Sequence, residues 1–204
     1  MFLLALVLVG CGGDGEKAAR TSTTIRRPVT TTTGPITTTT GPATPSTTSP
    51  CVPSGSTTGV RVDYPNRMSS LVGKDVRTGV HPCIDRFVIE LQATDLPQPE
   101  FPGYWVRYAT GPVRLSPSGQ PVTIKGDAVL LASLGSWMLG PEGPGYSGPR
   151  DVVATDGSAI REYRLVEDFE GQSTWAIGID TRRSFTVSVL SSPPRLVIDI
   201  QTAP

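Results

Sequence analysis

Apolar and polar residues alternate in many short runs of the chain from about residue 59 onward. In RFVIELQ, the apolar residues Phe87, Ile89 and Leu91 fall on one side of an extended chain. Runs with the same period are STWAIGID, SFTVSVL and RLVIDI. A period of two is typical of a strand that buries one face and exposes the other. These four runs therefore predict four strands, each with one buried face.

Further candidate strands and frequent turn signals surround these four runs. The candidates are DVRTGV, WVRYA, PVTIK, DAVLLASL and IREYRLV, of which DAVLLASL also fits a helical turn. Turn signals lie at 116–119, 155–158, 169–171, 180–183 and 191–194. Many short alternating strands at close spacing predict an all-β fold. We expect a small β-sandwich of antiparallel strands, with a β-barrel as the alternative.

Glycine and proline are abundant, with 22 and 20 of the 204 residues, and favour turns and strands over long helices. The longest interruption of the strand pattern is LGPEGPGYSGP, Leu139–Pro149, which we expect to be a surface loop. The alternating part, residues 59–204, is predicted to form one domain, because its length suffices for one sizeable core.

The N-terminus has the pattern of a bacterial lipoprotein signal. The apolar run that ends at Val9 is too short to span a bilayer, which takes about 20 residues, but it suits a secretory signal. Leu8-Val9-Gly10-Cys11 matches a lipobox, in which the chain is cut before the cysteine. We predict a signal peptide over residues 1–10 and a lipid on Cys11 that anchors the chain to the extracytoplasmic face of the cell membrane. The alternative is an ordinary N-terminus with a chance cysteine.

Residues 11–58 are rich in threonine, serine and proline and contain two copies of TTTTGP, at Thr30–Pro35 and Thr37–Pro42. Few apolar side chains are present, so ordering this segment would cost backbone entropy without burying a core. Proline favours an extended polyproline II conformation, and such stalks are often O-glycosylated. We predict a disordered linker that spaces the domain from the membrane; the alternative is a flexible tail without a spacing role.

The chain has three cysteines. If Cys11 carries lipid, Cys51 and Cys83 remain, and they can form a disulfide in an oxidising extracytoplasmic compartment. The alternative is a pair of buried free thiols. A disulfide across this spacing would stabilise the fold by roughly 3–4 kcal/mol in the chain-entropy model.

Charge argues against one class of partner. The chain has 18 basic and 18 acidic residues. Nucleic-acid binding requires a surplus of lysine and arginine to neutralise phosphates, and no such surplus is present. We therefore expect no nucleic-acid partner.

The order of the strands resembles the AMIN and AMIN-like domains. The end of the chain, SFTVSVLSSPPRLVIDIQ, is similar to their closing hairpin, and GVHPCIDRFVIEL is similar to the opening hairpin of the AMIN-like group. GYWVRYA, VTIKGDAVLLASL and IREYRLVEDFEGQSTWAIGI follow in the expected order, so the resemblance covers about Asp75 to Gln201. It implies a β-sandwich that binds a component of the cell envelope, either a peptidoglycan-like wall polymer or an envelope protein.

The sequence offers little support for catalysis. His81 is the single histidine, so a histidine-rich metal site cannot form, and the spacings CxxC and HExxH are absent. The sequence also has no GxSxG nucleophile motif and no glycine-rich phosphate loop. We predict a non-enzyme without a cofactor. One alternative is a wall hydrolase that uses the acidic residues near Asp168, which include Glu162, Glu167 and Glu170. Another is a carrier of a small apolar ligand inside a hollow barrel.

Candidate ligand-binding residues are aromatic or basic, because aromatic faces stack on sugars and guanidinium groups bind carboxylates. The candidates are Arg86, Tyr104, Trp105, Arg107, Trp137, Tyr146 and Arg195. The alternatives are structural. Trp105 and Trp137 would then be core residues, Arg86 would pair with Asp85 or an acid of a neighbouring strand, and Arg195 would pair with Asp199.

Overall fold

The computed structural model describes residues 51–52, 54–140, 143, 145–157 and 159–202. Cys11, the predicted signal peptide and most of the predicted linker lie outside the described residues. The described strands are β1 (Gly59–Val62), β2 (Val72–His81), β3 (Ile84–Gln92), β4 (Tyr104–Tyr108), β5 (Ala128–Leu134), β6 (Asp151–Val153), β7 (Ile160–Phe169), β8 (Gln172–Ile179), β9 (Phe185–Ser191) and β10 (Pro194–Gln201).

The ten strands form two antiparallel sheets, one of six strands in the order β1-β4-β5-β8-β7-β6 and one of four strands in the order β2-β3-β10-β9. The predicted sandwich is therefore confirmed. The barrel alternative is wrong, because each sheet keeps two edge strands and the sheets do not close on themselves. A carrier that holds its ligand inside a barrel loses its structural basis with the barrel.

Three of the four alternating runs bury the face that their period predicts, whereas in β9 only Phe185 is fully buried and Val189 is 39 % exposed. Phe87, Ile89 and Leu91 of β3 are fully buried, and so are the inward residues of β8 and β10. The fully buried inward-facing apolar residues of these two strands are Trp175, Ile177, Ile179, Leu196, Ile198 and Ile200. Large aromatic and branched side chains from both sheets meet in one cluster, which supplies most of the hydrophobic stabilisation.

Three kinds of contact connect parts of the chain that are distant in sequence. The predicted Cys51–Cys83 disulfide is present and joins the β2–β3 turn to the segment before β1, with the two Cα atoms 5.3 Å apart. Ser56, within the predicted linker, forms a backbone pair with Phe185. Inside the sandwich, the buried Asp85 carboxylate accepts hydrogen bonds from the backbone N–H groups of Ala159 and Ile160, at 2.7 and 3.1 Å, which connects the two sheets.

One predicted strand is wrong. PVTIK does not belong to a sheet, apart from a single bridge between Pro121 and Arg114. Instead, residues 110–126, which we call the covering segment, cross the outer face of the six-stranded sheet. The segment and the sheet share a second small hydrophobic cluster of Val113, Leu115, Val122, Ile124, Val129, Leu131, Val166 and Ala176. Alternation in PVTIK therefore reflects burial against a sheet face.

Candidate functional site

Two of the predicted ligand-binding aromatics lie in the core. Tyr104 is 9 % exposed and packs edge-to-face on Phe101. Tyr146 comes from the glycine- and proline-rich loop but is 5 % exposed, packs edge-to-face on Trp175 and donates a hydrogen bond to the Pro149 carbonyl. Burial raises the pKa of Tyr146 to about 12. Neither ring offers an open face to a sugar.

Arg86 and Arg195 lie on the outer face of the four-stranded sheet. Arg86 forms a bidentate ion pair with Asp199 of β10, with N–O distances of 2.6 and 2.8 Å. Arg86 therefore pairs with an acid of a neighbouring strand, which was one of the structural alternatives. Asp199 does not form an ion pair with Arg195 in the described part of the chain. Arg195 instead donates a hydrogen bond to the Pro193 carbonyl.

Trp137 is half-buried and lies apart from the other candidates. It lines a shallow groove of about 730 Å³ together with residues 69–72 and 92–96. Its carbonyl accepts the N–H of Gly73, which ties the chain after β5 to the start of β2. Because Trp137 is only half-buried, it is not a core residue, as the structural alternative had it.

Trp105 and Arg107 come together on the outer face of the six-stranded sheet. They are two residues apart on β4, so both point away from the sandwich core. The Arg107 guanidinium lies 3.8 Å from the centre of the Trp105 ring, and the Arg61 guanidinium lies 5.0 Å from it. Tyr64 adds a tilted ring contact at 6.4 Å. We call Arg61, Tyr64, Trp105 and Arg107 the Trp105 cluster.

The strand register explains why this cluster forms. Arg61 of β1 is paired directly with Trp105, so the two side chains lie side by side on the same face. Cation–π attraction then holds the guanidinium groups against the indole. Because guanidinium groups lie over the ring, Trp105 here orients arginine, and a sugar would have to displace Arg107 to stack on that side.

A cavity of about 380 Å³ lies between the Trp105 cluster and the covering segment. Its walls come from the covering segment, from β4, β5, β7 and β8, and from Tyr64. The lining residues that carry polar side chains are Tyr64, Arg107, Thr110, Arg114, Ser116, Ser133, Glu167 and Thr174. This volume falls within the range of about 300–1,000 Å³ that is common for small-molecule sites.

Arg107 is the notable side chain of this cavity. Its Nη1 atom is buried and has no hydrogen-bond partner within the described part of the chain. Burial lowers the pKa of Arg107, and the nearby Glu167 acts in the opposite direction. Arginine nevertheless stays charged, because its ordinary pKa is above 12. A buried, charged donor without a partner is costly and is what an absent anionic ligand would leave behind.

A chain of hydroxyl groups runs across the strands beside Arg107. The hydroxyls of Ser133 and Thr174 lie 2.9 Å apart, and Thr174 donates to Glu167 at 2.7 Å. Tyr64 donates to the Gln172 side chain at 2.6 Å, and burial is the main reason that the pKa of Tyr64 is raised. These contacts fix the orientation of the polar groups on the cavity floor.

The acidic residues near Asp168 have separate structural partners. Asp168 accepts the N–H groups of Met138 and Leu139, at 2.7 and 2.9 Å, and so holds the start of the glycine- and proline-rich loop. Glu162 accepts the N–H of Lys125 and so fastens the covering segment to β7. Of these carboxylates, Glu167 is the one that lines the cavity.

The described residues offer neither a metal-binding cluster nor a membrane-spanning helix. No cluster of three or more histidine, cysteine, aspartate or glutamate side chains suits a metal ion in the described part of the chain. Among the same residues, we found no helix with the length and apolar character that crossing a bilayer requires.

Sequence reasoning found Trp105 and Arg107 but missed Arg61, Tyr64, Ser133 and Thr174 as their neighbours. Arg61 and Tyr64 precede the first predicted strand, and β1 itself is only four residues long. The sequence signal that could have found β1 is the short alternation in GVRV, which is too brief to stand out from a loop.

Comparison with known proteins gives one match. The family model of the AMIN-like domain matches residues 71–202, a range that includes β2 to β10. Searches against curated proteins and against solved structures returned no match. AMIN-like domains are non-catalytic domains that bind or localise to the cell envelope. The matched range takes in most of the chain, with nine of the ten described strands and all of the cavity-lining residues except Tyr64, and the chain therefore belongs to the AMIN-like domain family.

Proposed function

We propose that this chain is a lipid-anchored envelope protein whose AMIN-like domain binds an anionic cell-wall polymer, of the peptidoglycan type, through the Trp105 cluster and its cavity. The observation that carries this proposal is the buried Nη1 atom of Arg107, which has no partner in the described part of the chain. A carboxylate satisfies such a donor better than a neutral hydroxyl, because a guanidinium group binds it with two charge-assisted hydrogen bonds.

The family supports envelope binding in general, and the chemistry of the cavity favours a wall polymer over a folded protein partner. The Trp105 cluster lies beside a concave surface that carries three charged side chains among its polar groups, whereas the core of a protein interface is usually depleted of charged residues. Peptidoglycan presents many carboxylates on its peptide stems, which fit a recessed arginine. A folded envelope protein stays the second partner of the same proposal.

The test is co-sedimentation of the full chain with purified peptidoglycan. We expect the chain to sediment with the wall polymer and to be released by salt, because the contact depends on charge. A chain that stays in the supernatant at low salt would overturn the proposal for a wall polymer. Constant turbidity of the wall suspension during the assay is expected of a binding domain, and steady clearing would favour the hydrolase alternative.

The membrane anchor needs its own experiment. Cys11→Ser removes the thiol that would carry lipid, so the variant should move from the membrane fraction to the soluble extracytoplasmic fraction. Cys11→Ser leaves the domain unchanged, so its sedimentation with peptidoglycan should match that of the parent. An unchanged membrane fraction for Cys11→Ser would contradict anchoring through this residue.

A further inference from the structure

The charged groups that line the cavity set its preference among ligands. They are Arg107, Arg114 and Glu167. Arg114 is exposed and donates to the Gly119 carbonyl, so it already has a partner. Arg107 is half-buried, and its Nη1 donor has no hydrogen-bond partner among the described residues. Glu167 accepts a hydrogen bond from Thr174 with one of its two carboxylate oxygens. Arg107 and Glu167 share the cavity but do not form an ion pair with each other among the described salt bridges.

This combination disfavours two simple kinds of ligand. A neutral sugar would leave the Arg107 guanidinium without a charged partner. A ligand with only negative charge would satisfy Arg107 but would place that charge near Glu167, and like charges in a partly desolvated site repel each other. A group with both signs of charge can satisfy both residues.

We propose that the cavity recognises a free α-amino-acid centre, with its carboxylate on Arg107 and its ammonium group on Glu167. This inference rests on the proposed function, since the side chain of diaminopimelate in an unlinked stem peptide of a cell wall carries such a centre. Trp105 holds the Arg107 guanidinium by cation–π contact, which reduces the rotamer entropy that binding would otherwise remove.

Three small probes separate the two charges. meso-Diaminopimelic acid carries a carboxylate and an ammonium group on each end; pimelic acid lacks the amines, and 1,5-diaminopentane lacks the carboxylates. The full chain is titrated with each probe and followed by the Trp105 indole N–H resonance, which the variant Trp105→Phe identifies. We expect meso-diaminopimelic acid to shift this resonance with an affinity at least about tenfold higher than either control probe.

Variants assign the two charges. Arg107→Ala should abolish the shift, and Arg107→Lys should restore it in part, because lysine keeps the charge but lacks the planar fork. Glu167→Gln keeps an oxygen for Thr174 but loses the negative charge, so pimelic acid should then bind about as well as meso-diaminopimelic acid. Arg86→Ala, on the opposite sheet, is the matched control and should leave all three titrations unchanged.

The results distinguish this inference from the function on which it rests. Equal binding of pimelic acid and meso-diaminopimelic acid by the parent chain would overturn the role of Glu167. Absence of any shift at Trp105 would overturn the whole inference. In either case, sedimentation with intact peptidoglycan still decides the proposed function, since polymer binding can occur without recognition of an amino-acid centre.

Discussion

The outer faces of the two sheets both carry arginine, but the arginines differ in their ion-pair partners. On the four-stranded sheet, Arg77 contacts Asp75 and Glu90, and Arg86 contacts Asp199. On the six-stranded sheet, Arg107 has no carboxylate partner within the part of the chain that the structure describes, and its Nη1 atom is buried. The charges on the first face are paired, whereas the second face holds, besides the Arg164–Asp151 ion pair, a guanidinium group without an ion-pair partner among the described residues.

The cause of this difference is the covering segment. Among the described residues, no second hydrophobic cluster lies over the four-stranded sheet, and Arg77 and Arg86 are 40 % and 39 % exposed. Water therefore screens their ion pairs with the more buried Glu90 and Asp199 in part, and we expect these pairs to contribute little energy. Residues 110–126 cross the six-stranded sheet, remove water from part of its outer face and form one wall of the cavity. A basic residue in a β-strand therefore indicates a binding site only where a further layer buries it.

Gly178→Ala should show the largest effect, because it forces the covering segment away from the sheet. A Cβ atom at Gly178 would collide with the Lys125 carbonyl. Overpacking of this kind costs about 2–3 kcal/mol of unfolding free energy. Chemical denaturation measures this loss, and the cavity should open so that peptidoglycan binding weakens as well.

Gly79→Ala on the four-stranded sheet is the matched control. Its nearest neighbour would be the His81 imidazole at 3.5 Å, an ordinary contact. We expect a change within about 0.5 kcal/mol of the parent stability. Equal losses for the two variants would show that the covering segment does not distinguish the two faces.

Arg107→Ala and Arg86→Ala test the same contrast by binding. Arg107→Ala should weaken sedimentation with peptidoglycan about twentyfold, which corresponds to ~1.8 kcal/mol for a charged hydrogen bond. Arg86→Ala should change the apparent affinity less than about twofold, because its guanidinium already pairs with Asp199. The comparison fails if Arg86→Ala weakens binding as much as Arg107→Ala does.

The turn between β8 and β9 connects the two sheets and contains an ion pair that makes stability depend on pH. Arg183 binds Asp180 through two contacts of 2.7 Å and holds the pKa of Asp180 below its ordinary value of 3.8. A depressed carboxyl pKa stabilises the fold above the ordinary value, and this contribution is lost as the pH falls through the folded pKa.

Asp180→Asn should therefore lower the unfolding free energy by about 1–1.5 kcal/mol at pH 7 and by much less near pH 2. Denaturation curves at the two pH values measure the difference. Asp199→Asn, on the outer face of the four-stranded sheet, should cost less at pH 7, because its partner Arg86 is 39 % exposed whereas Arg183 is 15 % exposed. A loss for Asp180→Asn that does not change with pH would contradict this role of the pair.

Arg107→Met should raise stability by up to about 1 kcal/mol, since it replaces a half-buried guanidinium group, of which the Nη1 atom lacks a partner among the described residues, with an apolar side chain of similar length. Thermal unfolding of the full chain measures this gain, and peptidoglycan binding should be lost at the same time. Arg86→Met should instead be neutral or slightly destabilising. Destabilisation by Arg107→Met would mean that the cation–π contact with Trp105 outweighs the cost of burying the charge.

The smallest effect is expected at the ion pairs of Glu90 on the outer face of the four-stranded sheet. Glu90→Gln removes the carboxylate shared by Lys74 and Arg77. We expect a loss of about 0.5 kcal/mol at low ionic strength that largely disappears in 1 M salt, because the basic partners Lys74 and Arg77 are 52 % and 40 % exposed and their charges are screened. A loss that persists in high salt would show that this face is more desolvated than its exposure indicates.

The alternation of single runs was enough to predict most of the core. Phe87, Trp175 and Ile198 were each placed on a buried face, because the period of a strand is local to its own residues. The spacing and compartment of Cys51 and Cys83 predicted their disulfide for a similar reason. Tyr146 could not be placed in this way, because its loop has no period and its ring is buried only by residues distant in sequence.

The sequence by itself determined that this chain builds a sandwich of alternating strands, since each strand carries its own pattern of apolar and polar positions. Only the tertiary structure decided which arginine is paired and which is buried without a partner. Arg86 pairs with Asp199, which lies on a strand more than 100 positions later. Arg107 lies beside the covering segment, part of which has the alternating pattern of a strand. Pairing and burial of a charge depend on what lies opposite it, and sequence-distant chain segments supply that environment.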